Sequence, residues 1–266
     1  MGIPESIYEI PGVRKLQIKL NQMVTFVPPP PPLDAEKASP KKILLVTSHP
    51  VPESFSLAIA KTVEETAIGE GHAVKRIDLG LDRRFSPVLT AGERRSYSEK
   101  RQLKHLPRDV RGYIQKLKWC DTLVLVYPTW WMSTPANLKG FFDRTLVRPH
   151  TWDLPRPDED DQDDDSSSSA LSLLLKPIRS SILPQGLEPG LTNIEQVLGI
   201  STYGASRSVL VMGGDNGRNM INTAILPLFH RDCTIRWLGL YDMDFQTEEN
   251  RKAFLETVKT TAREKL

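Results

Sequence analysis

The chain has no run of about 18 apolar residues, so no segment of it reads as a transmembrane helix. It is poor in cysteine. Cys120 and Cys233 have no metal-ligand spacing and cannot build a disulfide framework, which makes a reducing compartment, the cytoplasm, the expected setting. There is no G-x-S-x-G nucleophile elbow, no G-x-x-x-x-G-K-[ST] phosphate loop and no G-x-G-x-x-G dinucleotide fingerprint. The five histidines are scattered, and no metal site is expected. No apolar signal core stands near the start, and Glu5 and Glu9 argue against a transit peptide.

What is there is the material of an ordinary globular protein: 266 residues, 39% hydrophobic and 26% charged, enough for a sizeable core. The formal charge of +2 hides an asymmetry. Residues 158–165 hold seven acids and no base, and setting them aside takes the charge from +2 to about +9. That surplus favours anionic ligands. The bases are dispersed and form no recognition motif, so nucleic acid is not an expected partner; a phosphorylated cofactor fits as well. Residues 1–40 read as an N-terminal extension, with five prolines at 28–32 forming a stiff polyproline spacer. Residues 41–266 read as one domain, interrupted at about 155–184 by an acidic and serine-rich insert that cannot bury a core.

Within that domain, short apolar runs alternate with helical spacing. Strands are expected at 41–48, 73–78, 121–127, 196–202 and 234–241. Helices are expected at 54–68, 109–119, 137–146, 220–229 and 247–265, with a long polar connection at 79–107. The pattern predicts an α/β, doubly wound parallel sheet, a fold that binds ligands beyond the carboxyl ends of its strands.

Three segments at those strand ends are chemically unusual. Ser48-His49-Pro50-Val51-Pro52-Glu53-Ser54-Phe55-Ser56 runs from the first strand into a helix, so hydroxyls and free amides converge where phosphate binds; a capped helix start without a ligand is the structural alternative. Tyr127-Pro128-Thr129-Trp130-Trp131-Met132 sets two indoles just past a central strand. One can face the core while the other flanks a flat ring, or both can fill the helix–sheet interface. Ser201-Thr202-Tyr203-Gly204-Ala205 permits close backbone approach by a ligand, or a tight turn.

Taken in order, these residues resemble the flavodoxin-like NAD(P)H:quinone oxidoreductases. Thr47-Ser48-His49-Pro50 with Ser54-Phe55-Ser56 is similar to that family's flavin phosphate loop. Tyr127-Pro128-Thr129-Trp130-Trp131, continued by Pro135-Ala136-Asn137-Leu138-Lys139-Gly140-Phe141-Phe142-Asp143-Arg144, is similar to its most specific signature. Ser201 to Ala205 matches its third flavin loop, and Trp237-Leu238-Gly239-Leu240-Tyr241-Asp242-Met243-Asp244 looks like the closing strand of bacterial members. The resemblance implies a five-stranded parallel sheet in the order 2-1-3-4-5, a homodimer, and a tightly held FAD or FMN, the His-Pro…Ser-Phe form of the first loop favouring FAD. By position, His49, Ser54, Phe55 and Ser56 would hold the phosphates. Pro128, Thr129, Trp130, Trp131 and Met132 would line the flavin ring, and Thr202, Tyr203 and Gly204 its far edge.

The implied activity is NAD(P)H dehydrogenase (quinone)-like: hydride passes from NAD(P)H through the flavin to a quinone or similar acceptor, by a ping-pong mechanism, with Trp131 and Tyr203 bearing on the chemistry. One departure stands out. Mammalian members carry a Tyr and a His after the third loop, and the stretch from Arg207 to Arg218 has neither in place. That absence leaves a second reading, a flavin-binding regulatory or interaction subunit with little turnover of its own.

Overall fold

The computed structural model describes residues 39–97, 99–154 and 187–266. The expected N-terminal extension, with its polyproline spacer, and the acidic insert at 155–184 lie outside the described residues. The described chain runs β1 (Lys42–Thr47), α1 (Phe55–Gly69), β2 (Ala73–Asp78), α2 (Arg108–Trp119), β3 (Thr122–Thr129), α3 (Ala136–Thr145), β4 (Gln196–Tyr203), α4 (Arg207–Gly213), β5 (Thr234–Leu240) and α5 (Glu248–Lys265). All five strands pair in parallel, in the order β2-β1-β3-β4-β5, which is the order the resemblance implies.

Strand alternation explains the two layers of helices. Ile43 and Leu45 of β1, Val124 and Val126 of β3, and Leu198 and Ile200 of β4 point to one face. There they meet Ile59, Ala60 and Val63 of α1 and Val258 and Ala262 of α5. The intervening residues Leu44, Val46, Leu123, Leu125, Tyr127 and Val197 point the other way, against Tyr113 and Leu117 of α2 and Leu138 and Phe141 of α3. Central strands buried on both sides must be apolar along their length, and residues 43–46 and 123–127 are. The edge strand β2 instead carries Lys75 and Arg76, charges that discourage further strand pairing.

The long connection at 79–107 is held by one buried cation. Arg144 of α3, 6% exposed, donates from Nε to Glu93 (2.8 Å), and from Nη1 to Asp109 (2.6 Å) and the Ser86 carbonyl (2.8 Å). Glu93 also closes a capping box with Thr90 on a short helix, Ala91–Arg95.

The helix expected over 220–229 is not continuous. A short α-turn at Asn216–Met220 passes into a wider π-turn at Ile221–Ile225 and a 3-10 turn at Leu226–Leu228. Pro227 is the cause: it has no N–H to donate, and its ring clashes with the carbonyl four residues back, so regular α-geometry cannot cross it. Among the described residues no helix is long and apolar enough to cross a membrane.

Candidate functional site

β1 leads out to β2 on one side and, after it, the chain returns to place β3 on the other. The loops after β1 and β3 therefore diverge, and a crevice opens between them at the carboxyl edge of the sheet. The crevice is a cleft of about 950 Å³. Its walls include His49, Phe55 and Ser56 from the first loop, Pro128, Thr129, Trp130, Trp131 and Met132 from the second, and Thr202, Tyr203 and Gly204 from the third. Eleven of the twelve expected site residues thus meet in one place. Ser54 stands apart: it caps α1, its Oγ accepting from the Leu57 amide at 3.4 Å.

At the first loop, the amides of Phe55 and Ser56 begin α1 and have no intrahelical acceptor, as in any first turn. His49 accepts from the Val51 amide through Nδ1 (3.1 Å), so in its neutral form Nε2 bears the proton. Burial pushes its pKa down from the ordinary imidazole value, which favours the neutral ring. Beside it the hydroxyl of Ser48 is buried with no hydrogen-bond partner.

The second loop is a tight reversal. Trp130 and Ser133 exchange backbone hydrogen bonds at 3.1 and 3.0 Å, and the two residues between them, Trp131 and Met132, both have positive φ (50° and 60°). Such turns favour Asn-Gly, because a side chain strains the left-handed region. The strain lifts Trp131 fully into the open, 99% exposed, while Trp130 is 45% exposed with its ring 5.9 Å from that of His49. Neither indole faces the core. The expectation that one would do so fails because the chain has already left the strand and turned.

Behind the third loop stands a group that sequence reasoning missed, Asp215, which meets the expected Tyr203. Tyr203 is 3% exposed and stacks on Tyr241, with centroids 4.7 Å apart and planes 11° from parallel. Gly239 permits the stack: a Cβ there would stand 2.9 Å from the Tyr241 ring and 3.0 Å from that of Tyr203. The Tyr203 hydroxyl donates to Asp215 Oδ2 at 3.3 Å. Asp215 follows α4, an unanticipated helix bracketed by a Ser206 cap and a left-handed Gly214. Those two residues were the available signal for it. Ala205, Leu210, Met243 and Asp244 also line the cleft. Among the described residues no three His, Cys, Asp or Glu side chains gather as metal ligands would.

Comparison with known proteins agrees with this geometry. Residues 41–172 match the family described as flavodoxin-like fold. The chain is 36% identical over 104 residues to the uncharacterized NAD(P)H oxidoreductase YcaK of Escherichia coli (strain K12), covering 39% of this chain and 52% of that protein. It is 30% identical over 128 residues to ribosyldihydronicotinamide dehydrogenase [quinone] of Mus musculus, covering 43% of this chain and 55% of that one. The chain thus spans about half the length of the curated relatives it matches. Among solved structures, an FMN-dependent NADH-azoreductase from Bacillus anthracis str. Ames Ancestor, in complex with FMN, superposes with a TM-score of 0.60 at 15% identity, over 84% of this chain and 97% of that one. Strand order, switch-point cleft and family match concur on a flavodoxin-like fold, and the chain is similar to relatives named as NAD(P)H oxidoreductases and quinone dehydrogenases.

Proposed function

We propose that this chain is a flavin-dependent NAD(P)H:acceptor oxidoreductase, moving two electrons as a hydride from NAD(P)H to a quinone or a comparable electrophile. The observation that carries the proposal is the convergence of three strand-end loops on one cleft, combined with an indole held fully exposed at its rim against backbone strain.

The residues fit a flavin. The orphaned Ser48 hydroxyl, the free first-turn amides of Phe55 and Ser56 and the α1 dipole form a set of donors for phosphate oxygens. Pro128 to Met132 give a flat apolar wall, and Thr202, Tyr203 and Gly204 close the far side. A cleft near the upper end of the usual range of about 300–1,000 Å³ has room for a dinucleotide, which with the His49-Pro50 form of the first loop favours FAD over FMN. A flavin bound there supplies reversible hydride chemistry that no side chain of the cleft can.

The chain's own part is to orient and shield. Trp131 covers an exposed ring, Phe55 and Met132 exclude water, and the buried phenol of Tyr203 stays protonated because burial raises its pKa. Donor and acceptor use one open face and bind in turn, which makes the kinetics ping-pong. The apolar side of α3 is spent in the core through Leu138, Phe141 and Phe142, so a homodimer would be built on the exposed rim, where Trp131 and Phe245 stand out. A cytoplasmic location completes the reading.

The test is the absorption spectrum of the purified protein, followed by NAD(P)H oxidation with menadione as acceptor. A yellow protein with about one flavin per chain and steady turnover is expected. A colourless protein that FMN and FAD cannot reconstitute would overturn the proposal, and bound flavin with negligible turnover would favour a regulatory subunit.

A further inference from the structure

α4 ends in a glycine-rich turn, Gly213-Gly214-Asp215-Asn216-Gly217, that stands behind the cleft and lends no side chain to its walls. The turn is firmly held. Gly214 and Asp215 both have positive φ (95° and 36°), and both amides donate to the carbonyl of buried Leu210, at 2.9 and 3.1 Å. On its far side the Asn219 amide donates to the Asp215 carbonyl at 3.0 Å. Between these anchors the turn meets two of the cleft's loops. Asp215 Oδ2 accepts from the Tyr203 hydroxyl of the third loop at 3.3 Å. The Gly217 amide donates to the Met132 carbonyl of the second loop at 3.3 Å.

Contact with the second loop is close enough to exclude side chains. A Cβ on Gly217 would stand 2.7 Å from the Thr134 nitrogen and 3.0 Å from the Ser133 carbonyl carbon, backbone atoms that cannot step aside. A Cβ on Gly213 would stand 3.0 Å from Met132 Sδ and Cε, the movable end of a side chain. The second loop therefore rests on bare backbone next to Trp131 and Met132, the two residues whose own preference is against their positive φ. Relaxation of Met132 would turn its carbonyl away from Gly217. The Gly217 amide lies in the first turn of its helix, has no intrahelical acceptor and belongs to a buried residue, so it would be left unpaired.

We propose that residues 213–217 brace the ring slot. Gly217, and to a lesser degree Gly213, hold the strained Trp131-Met132 turn, while Asp215 holds Tyr203. One turn thereby sets the separation of the second and third loops, the walls between which a flat ring would lie. Gly217 and Gly213 are positioning residues, acting on a ligand only through the loop they support. The ligand rests on the flavin reading above; the brace itself is a property of the flavin-free fold.

Gly217→Ala is the test. In the flavin-free protein, the Trp130 and Ser133 amides, which bond across the second loop, should exchange their hydrogens at least about tenfold faster in the variant, with the β3 amides before them unchanged. Riboflavin and FMN differ by a phosphate alone, so loss of ring positioning should raise both Kd values by the same factor, about tenfold. In a Trp131→Gly background the same substitution should raise them less than about threefold, because two residues that act through one loop are not additive. If Gly217→Ala does not fold, Gly213→Ala decides by the same measurements, with effects of about threefold, since its Cβ meets only the Met132 thioether. Unchanged exchange at Trp130 and Ser133, Kd values within twofold of wild type, or equal losses with and without the indole would overturn the inference. A wild type that binds neither flavin overturns the flavin reading instead, and the exchange rates then decide the brace.

Discussion

Trp131→Gly should change stability and ligand affinity in opposite directions. In the flavin-free protein the indole is 99% exposed and buries nothing that its removal could cost. What removal gains is relief of the positive φ of 50°, about 1–2 kcal/mol for a residue with a Cβ. Greater freedom of glycine in the unfolded chain takes back about 0.5–1 kcal/mol. The flavin-free variant should therefore be as stable as the wild type, or up to about 1 kcal/mol more stable. With flavin bound, one face of an indole that can bury roughly 200 Å² is covered, so about 100 Å² is removed from water. At about 25 cal/mol per Å² that is about 2.5 kcal/mol, or a rise in flavin Kd of roughly 50- to 70-fold. Urea melts of the flavin-free proteins measure the first effect, and flavin fluorescence titrations the second. Trp119→Ala is the control: its ring packs on the core and carries Lys75 Nζ at 3.9 Å, so it should lose stability and keep flavin affinity. A Trp131→Gly Kd within threefold of wild type would refute the assignment of Trp131 to the ring wall.

Four other outcomes are expected. Arg144→Ala leaves Glu93 and Asp109 without their cation and should cost about 3 kcal/mol in urea denaturation. For Glu93, burial raises the pKa, but hydrogen bonds from Thr90 and Arg144 outweigh it and the net shift is downward. Its contribution is therefore present above the unfolded-state pKa of about 4.3 and lost as pH falls through the lower folded value; Glu93→Gln should flatten that acid limb. Ser48→Ala removes a buried, unpartnered hydroxyl, so flavin-free stability should hold or rise while flavin Kd rises about fivefold, the value of one lost hydrogen bond near 1 kcal/mol. Replacing residues 155–184 by a short Gly/Ser linker should leave flavin content and menadione turnover within about twofold, because loop entropy changes only slowly with length. The flanks are already joined, Asp153 pairing with Glu188 and Trp152 with Pro189. A more than tenfold loss of turnover with flavin retained would make the insert part of the site.

The layers of the fold were legible because they depend on local pattern. ILLV, LVLVY and VLGI put apolar residues on both faces, as a strand between two helical layers requires. The first and third loops were legible because a helix start and small residues beside a strand have restricted uses. Other features depend on contacts the sequence does not display. The Tyr203–Asp215 pair joins residues twelve apart across a helix whose cap and stop had gone unread. The broken helix around Pro227, by contrast, follows from that residue alone, which has no N–H to donate. The left-handed Trp131-Met132 turn had no signal at all, since propensity assigns such turns to Asn and Gly.

That last failure has a physical meaning. Among the described residues, the non-glycine positions with positive φ are Trp131, Met132, Asp215 and Asp242. The first two form the cleft's second loop, Asp215 backs its third, and Asp242 starts the turn that brings Met243 and Asp244 to its wall. The buried polar side-chain atoms without partners follow the same distribution. Ser48, Tyr127, Thr134 and Asp215 belong to or adjoin these loops, and Arg251 is the exception. The sheet and the helices packed on it, by contrast, satisfy pattern and packing together. Strain and unmet hydrogen bonds each cost on the order of 1–3 kcal/mol. Their concentration around one cleft means that the rigid layers hold the loops in a conformation that the loops would not choose alone. A bound ring and its phosphates would repay that cost through the atoms now left without partners.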